Sequence, residues 1–289
     1  MERELSLLKK NLDDSCRVRF QTLGIGPERA YQQLLSLLKP APASNADRYG
    51  AVLLLGFAGA VDPSLKPADL ILSSRYYRAG SNLAASSPDP GLADAECPSA
   101  SIVRPDFLEP NPCLWQQAAD TVQETPWRFT QSPSLTVDRV IDSPEDKRAI
   151  FDRYSVASVN MEDYSAASAA QEAGVPFLSV RAVLDVADRR LPGYLPTLSN
   201  SGISIPGSRA VLFTLSHPWR IPTLLALAVN MRRAQWALAR FALAFIPKMA
   251  DLYLAATQGS APRAGNSSRL LQCMKYPGPN AVLSPGLIS

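Results

Sequence analysis

Two hydrophobic rhythms alternate along this chain. Residues 49–59 (YGAVLLLGFAG) are apolar almost without a break, the pattern of a strand covered on both faces. Residues 65–77 (LKPADLILSSRYY) predict a second, more amphipathic strand, and residues 16–24 (CRVRFQTLG) a short one. Between them, residues 26–39 carry Ala30, Leu34, Leu37 and Leu38 at helical spacing behind a helix-start proline. A helix is also predicted over 111–123, with Asn111 as cap and Pro112 in the first turn. Residues 132–141 (SPSLTVDRVI) read as a strand. They lead into a helix over 143–154 that has Ser143 or Asp142 as cap and acids in its first turn. Then come a strand at 156–160, a small-residue helix at 161–174 closed by Gly174, and a strand at 175–184. This last trio reads as a β-α-β unit.

The alternation predicts an α/β fold: three layers, with a mostly parallel central sheet and flanking helices. Residues 84–113, rich in Ser, Pro, Ala and Asp, read as an irregular insertion, and 191–210 as a loop. Residues 222–257 read as helix interrupted by Pro247. Its apolar positions cover more than one face, and Arg232, Arg233 and Arg240 form a basic ridge. That helix can pack on the sheet or present an amphipathic surface to lipid or a partner. Residues 1–257 are thus expected to form one domain, and 258–289, with many Gly, Pro, Ser and Asn, a disordered tail.

Composition narrows the chemistry. At 289 residues the chain can bury a full core, and a net charge of +3 without a clustered basic stripe argues against a nucleic-acid partner. Cys16, Cys97, Cys113 and Cys273 are scattered without metal-ligand spacing, so neither a metal nor another cofactor is expected. His217 is the single histidine and sits in a turn-like SHPWR setting, which leaves carboxylates as the natural carriers of chemistry. The charged N-terminus lacks a signal-peptide apolar region, so a cytoplasmic location is expected.

Two acids stand where strands are predicted to end: Glu162 after 156–160, and Asp185 after 175–184. Either acid alone is what many helix starts carry. As a pair at successive strand ends they predict a shared crevice, because ligands of α/β sheets gather at the carboxyl ends of strands.

The residue order around them, VNMEDYSAA followed by GVPFLSVRAVLDVAD, resembles the nucleoside phosphorylase and nucleosidase superfamily. The hallmarks of that family are a Met-Glu pair, here Met161 and Glu162, and a strand ending in R-x-x-S-D-x-A-D, here residues 181–188. Residues 55–72 resemble its Gly-rich turn, with Gly56, Gly59 and a continuation to Asp69. Residues 22–30 (TLGIGPERA) resemble its Gly-x-Gly turn, containing Gly26, and MERELSLL its first catalytic helix. The resemblance spans roughly residues 1–190.

It implies cleavage of the N-glycosidic bond of a purine nucleoside. In that scheme Glu162 binds the ribose hydroxyls, Met161 packs beneath the sugar, and Asp185 is the general acid at N7 of the base. Phe57, Ala58, Val140 and Ile141 border the base, and Glu4 activates water. Three departures stand out: no strand precedes the first helix, Leu184 occupies the family's Ser position, and no Gly-x-Pro-x-Arg phosphate turn is found near the N-terminus. The last favours hydrolysis, with a phosphorolytic enzyme and an inactive nucleoside-binding protein as alternatives. Residues 221–243 resemble the terminal helix of the hopanoid-associated branch, which implies an adenosyl-lipid substrate and peripheral membrane contact. The wider family implies a homodimer.

Overall fold

The unbroken apolar run becomes the central strand of the molecule, β2 (Tyr49–Ala60). A computed structural model of the chain describes residues 18–39, 49–80, 106–190, 221–258 and 280–285. Before β2 lie β1 (Val18–Phe20) and α1 (Pro27–Leu38), and after it β3 (Leu70–Arg78), β4 (Phe107–Leu108), α2 (Pro112–Gln123) and β5 (Phe129–Thr136). The chain continues through α3 (Pro144–Tyr154), β6 (Ser158–Asn160), α4 (Asp163–Glu172) and β7 (Phe177–Asp185) to α5 (Ile221–Gln258) and β8 (Asn280–Pro285).

Successive side chains of a strand point to opposite faces, and β2 uses both. Ala51, Leu53 and Leu55 join a core built with Leu114 and Ala118 of α2 and with Phe241 and Phe245 of α5. Val52 and Leu54 join another, built with Leu34, Leu35 and Leu38 of α1 and with Ala166, Ala167, Ala169 and Ala170 of α4. Helices therefore cover both faces, as the sequence predicts, and each fully buried leucine contributes about 1.5–3 kcal/mol. The alanines of α4 serve close packing against α1 and the sheet.

The sheet itself departs from the expectation of mostly parallel layers. β2 pairs with β6, β6 with β5, β5 with β3, β3 with β7, and β7 again with β2, so five strands close into a barrel-like ring. The β2–β7, β3–β5 and β5–β6 pairs are parallel, whereas β2–β6 and β3–β7 are antiparallel. The predicted β-α-β unit is corrected accordingly: β6 and β7 flank β2 on opposite edges and run in opposite directions. Periodicity reports how deeply a strand is covered and carries no information about which edge it pairs.

Outside the ring, β4 lies antiparallel to β3, within the stretch read as an irregular insertion. β8 lies parallel between β1 and β2, within the stretch read as a disordered tail. The predicted strand over 132–141 starts earlier and ends at Thr136, so Val140 and Ile141 sit in the following loop.

Local start and stop signals are realised. Asn111 Oδ1 accepts from the backbone N–H of Cys113 (3.1 Å) and Leu114 (3.2 Å), and Ser143 Oγ accepts from that of Asp146 (3.0 Å). Such caps are worth about 1 kcal/mol each. Gly174 takes φ 68° just beyond α4, a conformation that suits a residue without Cβ. Pro247, expected to interrupt the C-terminal helix, lies inside α5. The missing hydrogen bond is tolerated there because Phe241, Phe245, Ile246 and Met249 on either side of it are buried in the core. Among the described residues no helix is long and apolar enough to cross a membrane.

Candidate functional site

Strand β6 ends at Asn160, whose buried side chain organises the turn that follows. Its Oδ1 accepts from the backbone N–H of Glu162 (3.1 Å) and Asp163 (2.8 Å), and from Thr136 Oγ1 (3.1 Å). Thr136 Oγ1 in turn accepts from the Tyr164 N–H at 2.9 Å. Orphan donors at the start of α4 are thus satisfied from the ends of β6 and β5, and Glu162 is held at the helix entry.

Beneath this turn lies a buried ion cluster. Asp163, fully buried, accepts through Oδ1 from Arg181 Nη2 (2.6 Å), Arg181 Nε (2.8 Å) and Ser179 Oγ (2.7 Å). Its Oδ2 accepts from Asn160 Nδ2 (2.8 Å) and Ser134 Oγ (3.2 Å). Arg181 also reaches Glu162 Oε2 (3.2 Å) and donates from Nη1 to the Phe57 carbonyl (3.2 Å). The second Glu162 oxygen, Oε1, accepts weakly from the Gly26 N–H at 3.4 Å. Two carboxylates thus share one guanidinium. Burial pushes the Glu162 carboxyl above its usual range, Arg181 opposes that rise, and neighbouring Asp163 adds to it.

Close approach here requires glycine. A Cβ on Gly56 would lie 2.2 Å from Arg181 Nη1, and one on Gly59 would lie 3.2 Å from Asp185 Oδ1. Arg181 with Glu162, and Asp185, therefore stand against the same short segment of β2, residues 56–59. Leu184, the position that departs from the family pattern, coincides with a register shift: Ala58 pairs with Val183 but Gly59 with Asp185. β7 carries Leu184 as an extra residue, and such a bulge re-aims the side chain beside it.

Asp185 is 9% exposed and receives the ammonium of Lys147 on Oδ2 at 2.5 Å. Burial raises its carboxyl above the ordinary range, and the Lys147 charge partly offsets that. Beyond it, a cavity of 480 Å³ is lined by Pro63, Leu65, Lys66, Val186, Asp188, Arg189 and Arg190. Neither Glu162 nor Asp185 lines that cavity.

The other predicted residues distribute as follows. Met161 packs with Ile141 in a cluster containing Val137 and Val159. Val140 is half-buried and stands outside it. Phe57 is half-buried against the α2–α5 core, and Ala58 is buried beside Val183. Glu4 and His217 lie outside the described residues. Sequence reasoning assigned no role to Asp163 or Lys147. An acid directly after the Met-Glu pair was a visible signal for the first. Lys147 lies in a run of charges that looks like a solvated helix face.

Among the described residues no group of His, Cys, Asp and Glu is arranged to hold a metal ion. What the cluster offers is general acid and hydrogen-bonding chemistry from two buried, protonatable carboxyls.

Residues 19–196 match the family model described as the phosphorylase superfamily. The chain is similar in fold to the 5'-methylthioadenosine/S-adenosylhomocysteine nucleosidase of Neisseria meningitidis, solved in complex with methylthio-immucillin-A. The TM-score is 0.55 at 18% identity, over 86% of this chain and 96% of that one. The corresponding Campylobacter jejuni nucleosidase gives a TM-score of 0.53 at 16% identity, over 86% and 96% of the two chains. Futalosine hydrolase of Helicobacter pylori gives 0.50 at 19% identity, over 78% and 76%. At these identities the structural likeness is one of fold.

Proposed function

The chain belongs to the phosphorylase superfamily, and on that premise we propose that it hydrolyses the N-glycosidic bond of a purine nucleoside. The observation that carries the proposal is a pair of buried carboxyls set against residues 56–59 of β2: Asp185, whose proton affinity burial raises, and Glu162, which Arg181 holds at 3.2 Å.

In this reading Glu162, oriented by Arg181 and the Gly26 N–H, accepts from the ribose hydroxyls, with Met161 beneath the sugar. Phe57, Ala58, Val140 and Ile141 border the base. As the C1'–N9 bond lengthens, its electron pair moves into the purine, and Asp185 transfers its proton to N7. Without that proton the purine leaves as a poor anion. An aspartic acid can supply it only where burial keeps the carboxyl protonatable, which is the situation of Asp185. The sugar passes through an oxocarbenium-like state, which the Glu162 carboxylate stabilises. Water then attacks C1' and gives its proton to Glu4.

Hydrolysis is favoured over phosphorolysis by the nucleosidases and the futalosine hydrolase that share this fold. The Arg181 guanidinium, 1% exposed and occupied by Asp163, Glu162 and the Phe57 carbonyl, is not itself free to grip an anion.

The proposal extends to an apolar adenosyl conjugate at a membrane surface. The outer side of α5 exposes Leu225, Val229 and Trp236 beside Arg232, Arg233 and Arg240, with Arg240 stacked 3.8 Å over the Trp236 ring. Such a face suits an anionic bilayer interface. A homodimer completes the proposed arrangement.

The test is release of free base from adenosine, methylthioadenosine and an adenosyl-lipid, with and without phosphate. Release independent of phosphate is expected, and an Asp185→Asn variant that folds normally should lose about 10²–10⁴-fold in rate. Strict dependence on phosphate would sink the hydrolytic reading. Binding without release of base from any of the three would favour the inactive, nucleoside-binding alternative.

A further inference from the structure

Helix α3 is a solvated helix with one inward charge. Glu145, Asp146, Arg148, Asp152 and Arg153 are exposed, whereas Lys147 is fully buried beside Ile150. Removing an ammonium from water costs several kcal/mol unless its protons are matched. Here they are matched: Lys147 Nζ donates to Asp185 Oδ2 (2.5 Å), to the Val186 carbonyl (2.8 Å) and to the Arg189 carbonyl (3.5 Å). An ammonium has three protons, and all three acceptors lie on the strand end and turn that begin at Asp185. A leucine would fill an inward position on α3 without a desolvation cost, so this contact needs a reason beyond packing.

We propose that Lys147 is a positioning residue: it orients Asp185 and stabilises the carboxylate that Asp185 becomes on giving its proton to the leaving base. The inference rests on the reading of Asp185 as the general acid. The step starts from the protonated form of Asp185, which burial makes easier to reach and the Lys147 charge makes readier to give its proton up. During it, the proton passes to N7 as the C1'–N9 electron pair enters the purine, leaving a carboxylate–ammonium pair. Lys147 keeps its protons throughout, and Asp185 is reprotonated from solvent after the base departs.

Burial alone would make Asp185 readily protonated but reluctant to give the proton up. The ammonium restores its acidity at the moment it is needed. Among the described residues Lys147 is the cation paired with Asp185. β2 and β6 meet this site with Gly59 and Val159, which carry no charge. The adjoining turn and cavity contribute Asp188, Arg189, Arg190 and Lys66, of which Arg190 pairs with Glu145 at 2.9 Å.

The test compares two leaving groups. A purine needs protonation, whereas the nitrophenolate of 4-nitrophenyl riboside leaves without it. For whichever of adenosine and methylthioadenosine the wild-type chain cleaves, Lys147→Met should shift the alkaline limb of the kcat/KM–pH profile upward by about one to three pH units. Its plateau should fall about tenfold, as expected for a weaker acid. Nitrophenyl riboside cleavage should be unchanged. Lys147→Arg should restore the limb, and Lys147→Gln, which keeps a donor but no charge, serves in place of Met if that variant does not fold.

An unmoved limb, or equal slowing of both substrates, overturns the proposal while leaving Asp185 in its role. Asp185→Asn with normal purine release would instead overturn the reading on which it rests.

Discussion

Replacing Asp163 by Asn tests the central ion cluster with almost no change in volume. The substitution removes one negative charge at a fully buried site and turns one of two acceptor oxygens into a donor. Arg181, 1% exposed, would keep a neutral carbonyl acceptor at position 163 and the 3.2 Å contacts to Glu162 and the Phe57 carbonyl, but lose its closest negative charge. Breaking a buried ion pair by removing one member costs about 3–5 kcal/mol. Because Glu162 remains within reach, the lower end applies, and we expect a loss of about 3 kcal/mol, a sizeable share of the 5–15 kcal/mol typical of a folded domain. Urea unfolding at neutral pH, followed by both tryptophan fluorescence and far-UV circular dichroism, measures it as a lower midpoint at unchanged slope. Adding Arg181→Met to the variant should recover part of the loss, since the stranded charge is then gone. A destabilisation below about 1 kcal/mol with coincident transitions would refute the view that charge pairing at Asp163 holds Arg181 in place.

Two further outcomes follow from the same geometry. Glu162 and Asp185 bind protons more tightly in the folded chain than at their ordinary values of 4.5 and 3.8. Their contribution to stability is therefore fully present at pH below those values and is lost as pH rises through the raised folded ones. Glu162→Gln should make the slope of unfolding free energy against pH less negative across that window, and an identical slope would contradict the raised proton affinity. Gly56→Ala would put a methyl group 2.2 Å from Arg181 Nη1 and should cost about 1–3 kcal/mol in the same urea assay. Gly80→Ala, where an added Cβ meets nothing within 4 Å, is the neutral control, and equal effects at the two positions would refute the close-approach argument.

Much of the candidate site was legible because its signals are local. Glu162 and Asp185 could be singled out from their places at the ends of apolar runs; Gly26 and Gly56 came from the family resemblance, and Gly56 lies inside β2 rather than in a turn. Asp163 and Lys147 were not assigned, for different reasons. Asp163 follows the Met-Glu pair directly, but at the first position of a helix an acid is also ordinary dipole chemistry, and only contact with Arg181, 18 residues on, separates the two. Lys147 sits among exposed charges, and nothing in its neighbours says that one of them turns inward to meet a carboxylate 38 residues away.

The sequence by itself determined where β2, β3 and the helices α1 to α4 lie, which residue caps α2, and which faces carry the apolar core, and it narrowed the α3 cap to Ser143 or Asp142. Those are properties of a few consecutive residues: side-chain period, φ preference and the hydrogen bonds of a single turn. Tertiary structure decided that five strands close into a mixed ring, and that Pro247 stays inside α5. It also decided that Leu184 is an extra residue which sets Asp185 against Gly59. Each of these depends on pairing or packing between segments far apart in the chain, whose free energy exists only once both partners are in place.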